Sequence, residues 1–399
     1  MLTVIIFILV LAVLVLAHEF GHFIAARKSG MRVYEFGFGF PPRVLGIYKD
    51  PQTKKFVWVW GSPKSGKTKS TDLLNTVGGE ETKEEEMFPA TVYSLNLLPL
   101  GGFCKIKGEN GGSENETDSF GAQKAWKKIV VLVAGVTMNF LLAGVLLGLG
   151  FMIGLPADLS DGVPNNAKVI SPAKVLVQNV DNDSPAKEAG VMFGDEIVSL
   201  GTEQIKSSAQ MVEYVKTHGN EAINLIVKRG GEEKTLVVTP RIVKAGESAP
   251  RLGVALADAG VISFPWYIAI YKGFVAAFWA LINIFVAFYL LIKNLIIGQG
   301  LAFEVSGPVG IATIVGQSAK MGFNYLLQVT SMISLSLAAM NILPIPALDG
   351  GRVLFIIIGK IIRRPVPLKY EQLAHTIGFM LLMILIVVIT WRDVVGLIK

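Results

Sequence analysis

The chain has 399 residues, of which 52% are hydrophobic and only 17% charged, and its net charge is +6. That balance excludes an ordinary soluble enzyme and points to a membrane protein with room for two or three domains. Cys104 is the single cysteine, so an internal disulfide and a cysteine zinc cluster are excluded, and any metal must be held by His, Asp or Glu.

The first element, residues 1–27, opens as a charge-free apolar run and passes without a loop into His18, Glu19 and His22. No basic residues precede the run and no small-residue cleavage site follows it, so it reads as a retained transmembrane helix and not as a signal peptide. His18-Glu19-Phe20-Gly21-His22 matches HExxH. Residues i and i+4 share one helix face, so both imidazoles can point at one ion while Glu19 polarises an ion-bound water. In a soluble helix two solvated histidines would be the simpler account. At membrane depth an unliganded cluster is costly, and two of the chain's four histidines fall here.

Residues 28–128 form a long loop bracketed by Arg27, Lys28, Arg32, Lys124, Lys127 and Lys128, which places it on the cytoplasmic side. Its ends, YEFGFGFPP at 34–42 and TVYSLNLLPLGGFCKIK at 91–107, are apolar, aromatic and glycine-punctuated, as expected of strands or hairpins at the membrane surface. Residues 49–87 between them are rich in Lys, Thr, Gly and Glu and read as a polar insert.

A second transmembrane helix is expected over 129–157. From about residue 170 to 245 the composition becomes that of a soluble domain: KVLVQNV alternates like a strand, SAQMVEYVKTH forms a compact helix, and NLIVKRGGEEKTLVVTP reads as a hairpin. With Ala189, Gly190, Val191, Gly194, Asp195 and Ile197 in its loop, this pattern resembles a PDZ domain. Its plainer alternative is a generic small β-rich domain.

Residues 260–298 contain a further apolar stretch, 273–292, flanked by Lys272 and Lys293 and preceded by FPWY. Whether it crosses reverses the topology of everything after it. The basic residues put the end of the first helix on the cytoplasmic side, and His18 lies roughly 25 Å along that helix at about 1.5 Å per residue. If 273–292 lies at the interface, the third transmembrane segment, 321–352, delivers Asp349 to the depth of His18; one extra crossing would leave it about 30 Å away. The expectation is therefore four transmembrane helices, the last at 372–392.

Asp349, in NILPIPALDGGR at 341–352, follows 28 residues without charge and precedes two glycines that permit close backbone approach. It is the best candidate for the third ligand that a catalytic zinc requires. An Asp that merely caps a helix would not account for Asn341, Pro344 and Pro346, which break the same helix where breaks are tolerated beside buried protein or a wet cavity.

HEFGH in the first helix, VYSLNLLPLGGF in the loop, AGVTMNF at 134–140, the PDZ-like domain, SGPVGIA at 306–312 and NILPIPALDGG together resemble the site-2 protease family of intramembrane zinc metalloproteases, in order along nearly the whole chain. The bacterial group similar to the regulator of sigma-E protease fits best. The resemblance implies a multi-pass protein of the bacterial cell membrane with an extracytoplasmic PDZ-like domain and an active site near the cytoplasmic side. It implies Zn2+ held by His18, His22 and Asp349, Glu19 as catalytic base, and Asn341, Asn139 and the broken segment at Pro344 on the substrate side. The partners it implies are membrane-spanning substrates, such as anti-sigma factors or remnant signal peptides, the lipid bilayer, and a peptide C-terminus at the PDZ-like domain. Two features depart from many relatives: Gly135 is followed by Val136 where a proline is common, and one PDZ-like domain stands where some carry two.

GSPKSGKT at 61–68 fits a P-loop pattern, but a short glycine-broken segment and an acidic run follow where a phosphate-supporting helix is needed. No nucleotide or nucleic acid is expected. Two rival classes remain: a non-enzymatic PDZ-bearing scaffold with a structural metal, which has no use for Glu19, and a metal transporter, which predicts polar residues along several helices.

Overall fold

The structure, a computed structural model, describes residues 2–61, 88–111, 113–181, 183–242, 249–298 and 306–398. Residues 62–87, which hold most of the polar insert and all but the first residue of the P-loop-like stretch, lie outside the described residues. The chain divides into two compact units, residues 1–147 with 273–399, and residues 148–272.

In the first unit, helix α1 (Leu2–Lys28) carries HExxH, and strands β1 (Val33–Lys49), β2 (Phe56–Trp60) and β3 (Val92–Ile106) form an antiparallel sheet in the order β2-β1-β3. β1 and β3 are each bent into two legs. Phe36 pairs with both Tyr93 and Cys104, and Phe38 with both Leu95 and Gly102, so the first leg of β1 threads between the two legs of β3. Helix α2 (Ala125–Ile153) packs Val131 and Leu132 against Ala26, Met31, Val33 and Ile106, a cluster that joins the end of α1 to the sheet.

In the second unit, β4 (Leu155–Asp158), β5 (Lys168–Val180), β6 (Glu196–Leu200), β7 (Glu203–Gln204), β8 (Ile223–Arg229), β9 (Glu232–Val238) and β10 (Val254–Ser263) form one sheet ordered β4-β10-β5-β6-β8-β9, with β7 on β6. Helices α3 (Pro185–Glu188) and α4 (Ser208–Thr217) begin at Ser184 and Ser207, whose hydroxyls accept the Lys187 and Gln210 N–H groups, satisfying donors that a helix start leaves open. Val175, Ile197, Leu200, Met211, Leu225 and Val227 close the core; each such side chain contributes about 1.5–3 kcal/mol on burial. Gly230 and Gly231, at φ 60 and 95, make the two-residue turn of the β8–β9 hairpin.

This unit is wider than the stretch 170–245. The helix expected over 129–157 ends at Ile153 because Gly154 turns to φ 121, and Leu155–Asp158 pair with β10. Residues 260–263 likewise belong to β10, and helix α5 (Trp266–Ile297) starts after them. α5 is one unbroken helix of 32 residues.

The segment 321–352 is three pieces. Helix α6 (Pro308–Met321) ends at Gly322, α7 (Phe323–Ile342) ends before Pro344 and Pro346, and α8 (Asp349–Ile361) begins at the Asp itself. Pro lacks the N–H that would continue α7, which is why the chain breaks there. The last helix, α9, spans Leu368–Ile398. Five helices, α1, α2, α5, α7 and α9, are long and apolar enough to cross a membrane. A Cβ on Gly316 of α6 would lie 2.2 Å from Thr3, and Leu326, Val329, Ile333 and Leu337 of α7 share a cluster with Val10 and Leu14. Since Gly316 precedes α7 and lies at Thr3, while Asp349 follows α7 and lies 3.2 Å from His18, α7 runs in the same direction as α1.

Candidate metal centre

The i, i+4 spacing on α1 brings the two imidazoles together, with His18 Nε2 and His22 Nε2 3.1 Å apart. Asp349 Oδ2 lies 3.2 Å from the first and 3.3 Å from the second. Three ligands about 2.05 Å from one tetrahedral zinc stand about 3.3 Å from one another, so this triangle has the dimensions of a zinc site. Asp349 Oδ2 is buried and has no hydrogen-bond partner. A lone carboxylate oxygen facing two imidazole nitrogens is the donor set a divalent cation takes, so the residues fit zinc. No other group of three His, Cys, Asp or Glu side chains among the described residues could hold an ion.

Helix α2 fixes both rings, one through a backbone carbonyl and one through a side-chain amide. His22 Nδ1 donates to the Val131 carbonyl at 2.8 Å, so its Nε2 keeps a lone pair for a metal. His18 Nδ1 faces the Asn139 amide at 3.3 Å. Val131 and Asn139 both lie on α2, two turns apart, and α2 comes close enough to supply them because two glycines are at the crossing. A Cβ on Gly21 would stand 2.3 Å from the Ala134 carbonyl oxygen, and one on Gly135 would stand 2.4 Å from His22 Nε2 and 2.7 Å from His18 Cε1.

Asp349 arrives from the opposite side. The link 343–348 folds back on the first turn of α8, where a Cβ on Gly350 would be 2.2 Å from the Leu343 oxygen and one on Gly351 2.4 Å from the Ile345 oxygen. This is the close approach the two glycines led us to expect. Arg352, one turn into α8, pairs with Glu109 and bonds Asn110 at 2.9 Å, tying α8 to the loop after β3.

Glu19 is half-buried beside both ligands on α1, and Gly102 of β3 lies against it, with 3.6 Å between a built Cβ and Glu19 Cγ. The outer edge of the 102–106 leg has no strand partner among the described residues. Asn139 is fully buried and bound to His18 and, through its carbonyl, to the Ser334 hydroxyl at 2.8 Å. Its amide nitrogen and backbone carbonyl thus have protein partners, while Oδ1 is buried without one. Asn341 is half-buried in the last turn of α7 and Pro344 is exposed in the link. Gly135 was noted from sequence only for the Val136 that follows it, not for its contact with the histidines, and Val131 was not singled out.

The sequence model of peptidase family M50 matches residues 6–57 and 83–385, omitting most of the polar insert. The chain is 31% identical to the regulator of sigma-W protease RasP of Bacillus subtilis over 98% of both chains, and 31% identical to the zinc metalloprotease RasP of Bacillus licheniformis, again over 98% of both. Among solved structures, the PDZ domain of the SdrC-like protein of Listeria monocytogenes is similar over 21% of this chain and 85% of its own, at 22% identity and a TM-score of 0.19.

Proposed function

This chain belongs to peptidase family M50 and is an intramembrane zinc metalloprotease, and we propose that His18, His22 and Asp349 hold its zinc while Glu19 moves the proton. The triangle of 3.1, 3.2 and 3.3 Å between the three ligand atoms carries this reading.

Zinc in such a site polarises a carbonyl and eases the ionisation of water. Glu19, adjacent to His18 on the same helix, takes the proton of the attacking water and returns it to the leaving nitrogen. His22 Nδ1 and His18 Nδ1, bound to Val131 and Asn139, keep both rings oriented throughout. A helical substrate must be unwound first, because its carbonyls are bonded within the helix. The open edge of the Gly102–Ile106 leg beside Glu19 suits an added strand, which would hold the substrate backbone extended at the metal.

Four crossings fit this reading. α1 and α7 run in parallel, which requires an odd number of crossings between them; α2 supplies one, and α5 would make two. α5 is therefore read as lying in or against the outer leaflet, with the PDZ-like unit outside and the zinc toward the cytoplasm. Exposed Phe56, Trp58 and Trp60 on β2 suit the membrane surface. Substrates of this class are membrane-spanning proteins, with anti-sigma factors and remnant signal peptides the leading candidates, and the PDZ-like unit screens them by size or by a new C-terminus.

The test is Glu19→Gln in the full chain, with zinc content and cleavage of a tagged single-span substrate measured together. Zinc retained and cleavage abolished is the expected pair; cleavage at the wild-type rate would end the mechanism.

A further inference from the structure

Two histidines lie outside the metal cluster. His218 stacks on Tyr214 in the PDZ-like unit. His375, on α9, does something more specific: its Nδ1 accepts the Ala347 N–H at 2.8 Å. Ala347 has φ 81, a left-handed conformation that costs an alanine about 1–2 kcal/mol. It precedes Asp349 by two residues.

α9 meets the same link again one turn later. A Cβ on Gly378 would stand 2.5 Å from the Pro346 oxygen, so the helix backbone abuts Pro346 while the His375 ring holds Ala347. On the other side, the Leu343 and Ile345 carbonyls rest on Gly350 and Gly351. The link is thus clamped between α8 and α9, and the hydrogen bond at Ala347 is the polar element of that clamp. Phe355 of α8 backs the imidazole at 5.7 Å between ring centroids. Through Nδ1 the ring is committed to Ala347; Nε2 is buried and has no hydrogen-bond partner.

We propose that His375 is a positioning residue for the metal site: it holds Ala347 in its left-handed conformation, and that conformation sets Asp349 Oδ2 against the two imidazoles. The proposal rests on the assignment of His18, His22 and Asp349 as zinc ligands. It gives the last helix a part in the chemistry, acting through one backbone N–H.

The experiment measures zinc affinity by chelator competition on the detergent-purified full chain, with substrate cleavage at saturating zinc as a second readout. His375→Ala should weaken zinc about tenfold, the lower end of what losing an orienting group costs a metal site. Adding Ala347→Gly to that variant should restore most of the loss, since glycine takes φ 81 without penalty. His375→Asn, whose amide oxygen can accept the same N–H, should stay within about threefold of wild type. Wild-type affinity in His375→Ala, or no recovery on adding Ala347→Gly, overturns the proposal. Should His375→Ala fail to fold, Ala347→Val decides: it leaves His375 in place, adds strain at the same φ and should weaken zinc, and wild-type affinity there counts against us. Asp349→Asn separates the two levels. Full zinc affinity in that variant defeats the ligand assignment itself, whereas zinc lost there but unchanged in His375→Ala defeats only the role of His375.

Discussion

Asn139 and His18 meet across the α1–α2 crossing with 3.3 Å between the amide and Nδ1, and this contact decides which nitrogen of His18 can bind a metal. If the amide nitrogen faces the ring, Nδ1 must accept, Nε2 carries the hydrogen, and Asn139 Oδ1 stays buried with no partner. Turned over, the amide oxygen accepts Nδ1–H and Nε2 keeps its lone pair on the side of His22 and Asp349. Only the second arrangement serves a zinc site.

Asn139→Leu should therefore weaken zinc by about 10- to 100-fold, as loss of an orienting partner does. Asn139→Asp, which can only accept, should bind zinc close to wild type. Chelator competition on both variants checks the pair, and equal losses would show that the amide oxygen is not the group that matters.

Gly135→Ala places a methyl group where the structure leaves no room, 2.4 Å from His22 Nε2. We expect zinc affinity to fall at least about tenfold, because the His22 ring itself must move, while the second unit, whose core is built from residues 175–256, keeps its thermal stability. Zinc stoichiometry and a melting curve on the same preparation test both halves.

In the second unit, Asp195 is buried and accepts Arg229 Nε and Nη2, each at 2.7 Å, and the Met192 N–H at 2.9 Å. Burial alone would raise its pKa, but the Arg229 bonds and the Met192 N–H override this and hold the carboxyl below the usual range. A depressed carboxyl stabilises the fold fully above its unfolded value of about 3.9 and loses that contribution as pH falls through the folded value. Asp195→Asn should cost about 2 kcal/mol at pH 7, a figure set below that of a fully buried pair because Arg229 is partly exposed. The gap between variant and wild type should close below about pH 4. Hydrogen exchange of residues 190–229 against pH would reveal it, and a gap constant down to pH 3 would refute it.

Asp393 Oδ2, near the end of α9, accepts the Gly307 and Gly310 N–H groups at 2.9 Å each and so caps α6 from a distance. Asp393→Ala should lower stability by about 1–2 kcal/mol and leave zinc affinity unchanged, since α6 carries no ligand. A loss of zinc in that variant would mean that α6 also positions the site.

Much of the site was legible because its chemistry is written locally. HExxH needs only the helical repeat, and Asp349 stands out as a carboxylate after a long charge-free run with two glycines behind it. What was not legible depends on pairs far apart in the chain: Gly135 against His22, 113 positions away, and His375 against Ala347, 28 positions away. No composition or period marks such pairs. In the fold, Gly154 and Pro156 did signal the end of α2, yet hydrophobicity alone carried the expected helix through them. β10 was missed because its pairing partners, β4 and β5, lie far upstream in the chain.

The proposed zinc triangle joins residues 18 and 22 to residue 349, and that distance along the chain has a temporal meaning. At about 5–20 residues per second of synthesis, the 331 positions from His18 to Asp349 take roughly 17–66 seconds to make. For all that time the growing chain holds His18, Glu19 and His22 without Asp349. On the proposed ligand set, the three-ligand site is completed only when residue 349 has been added and α8 has folded against α1.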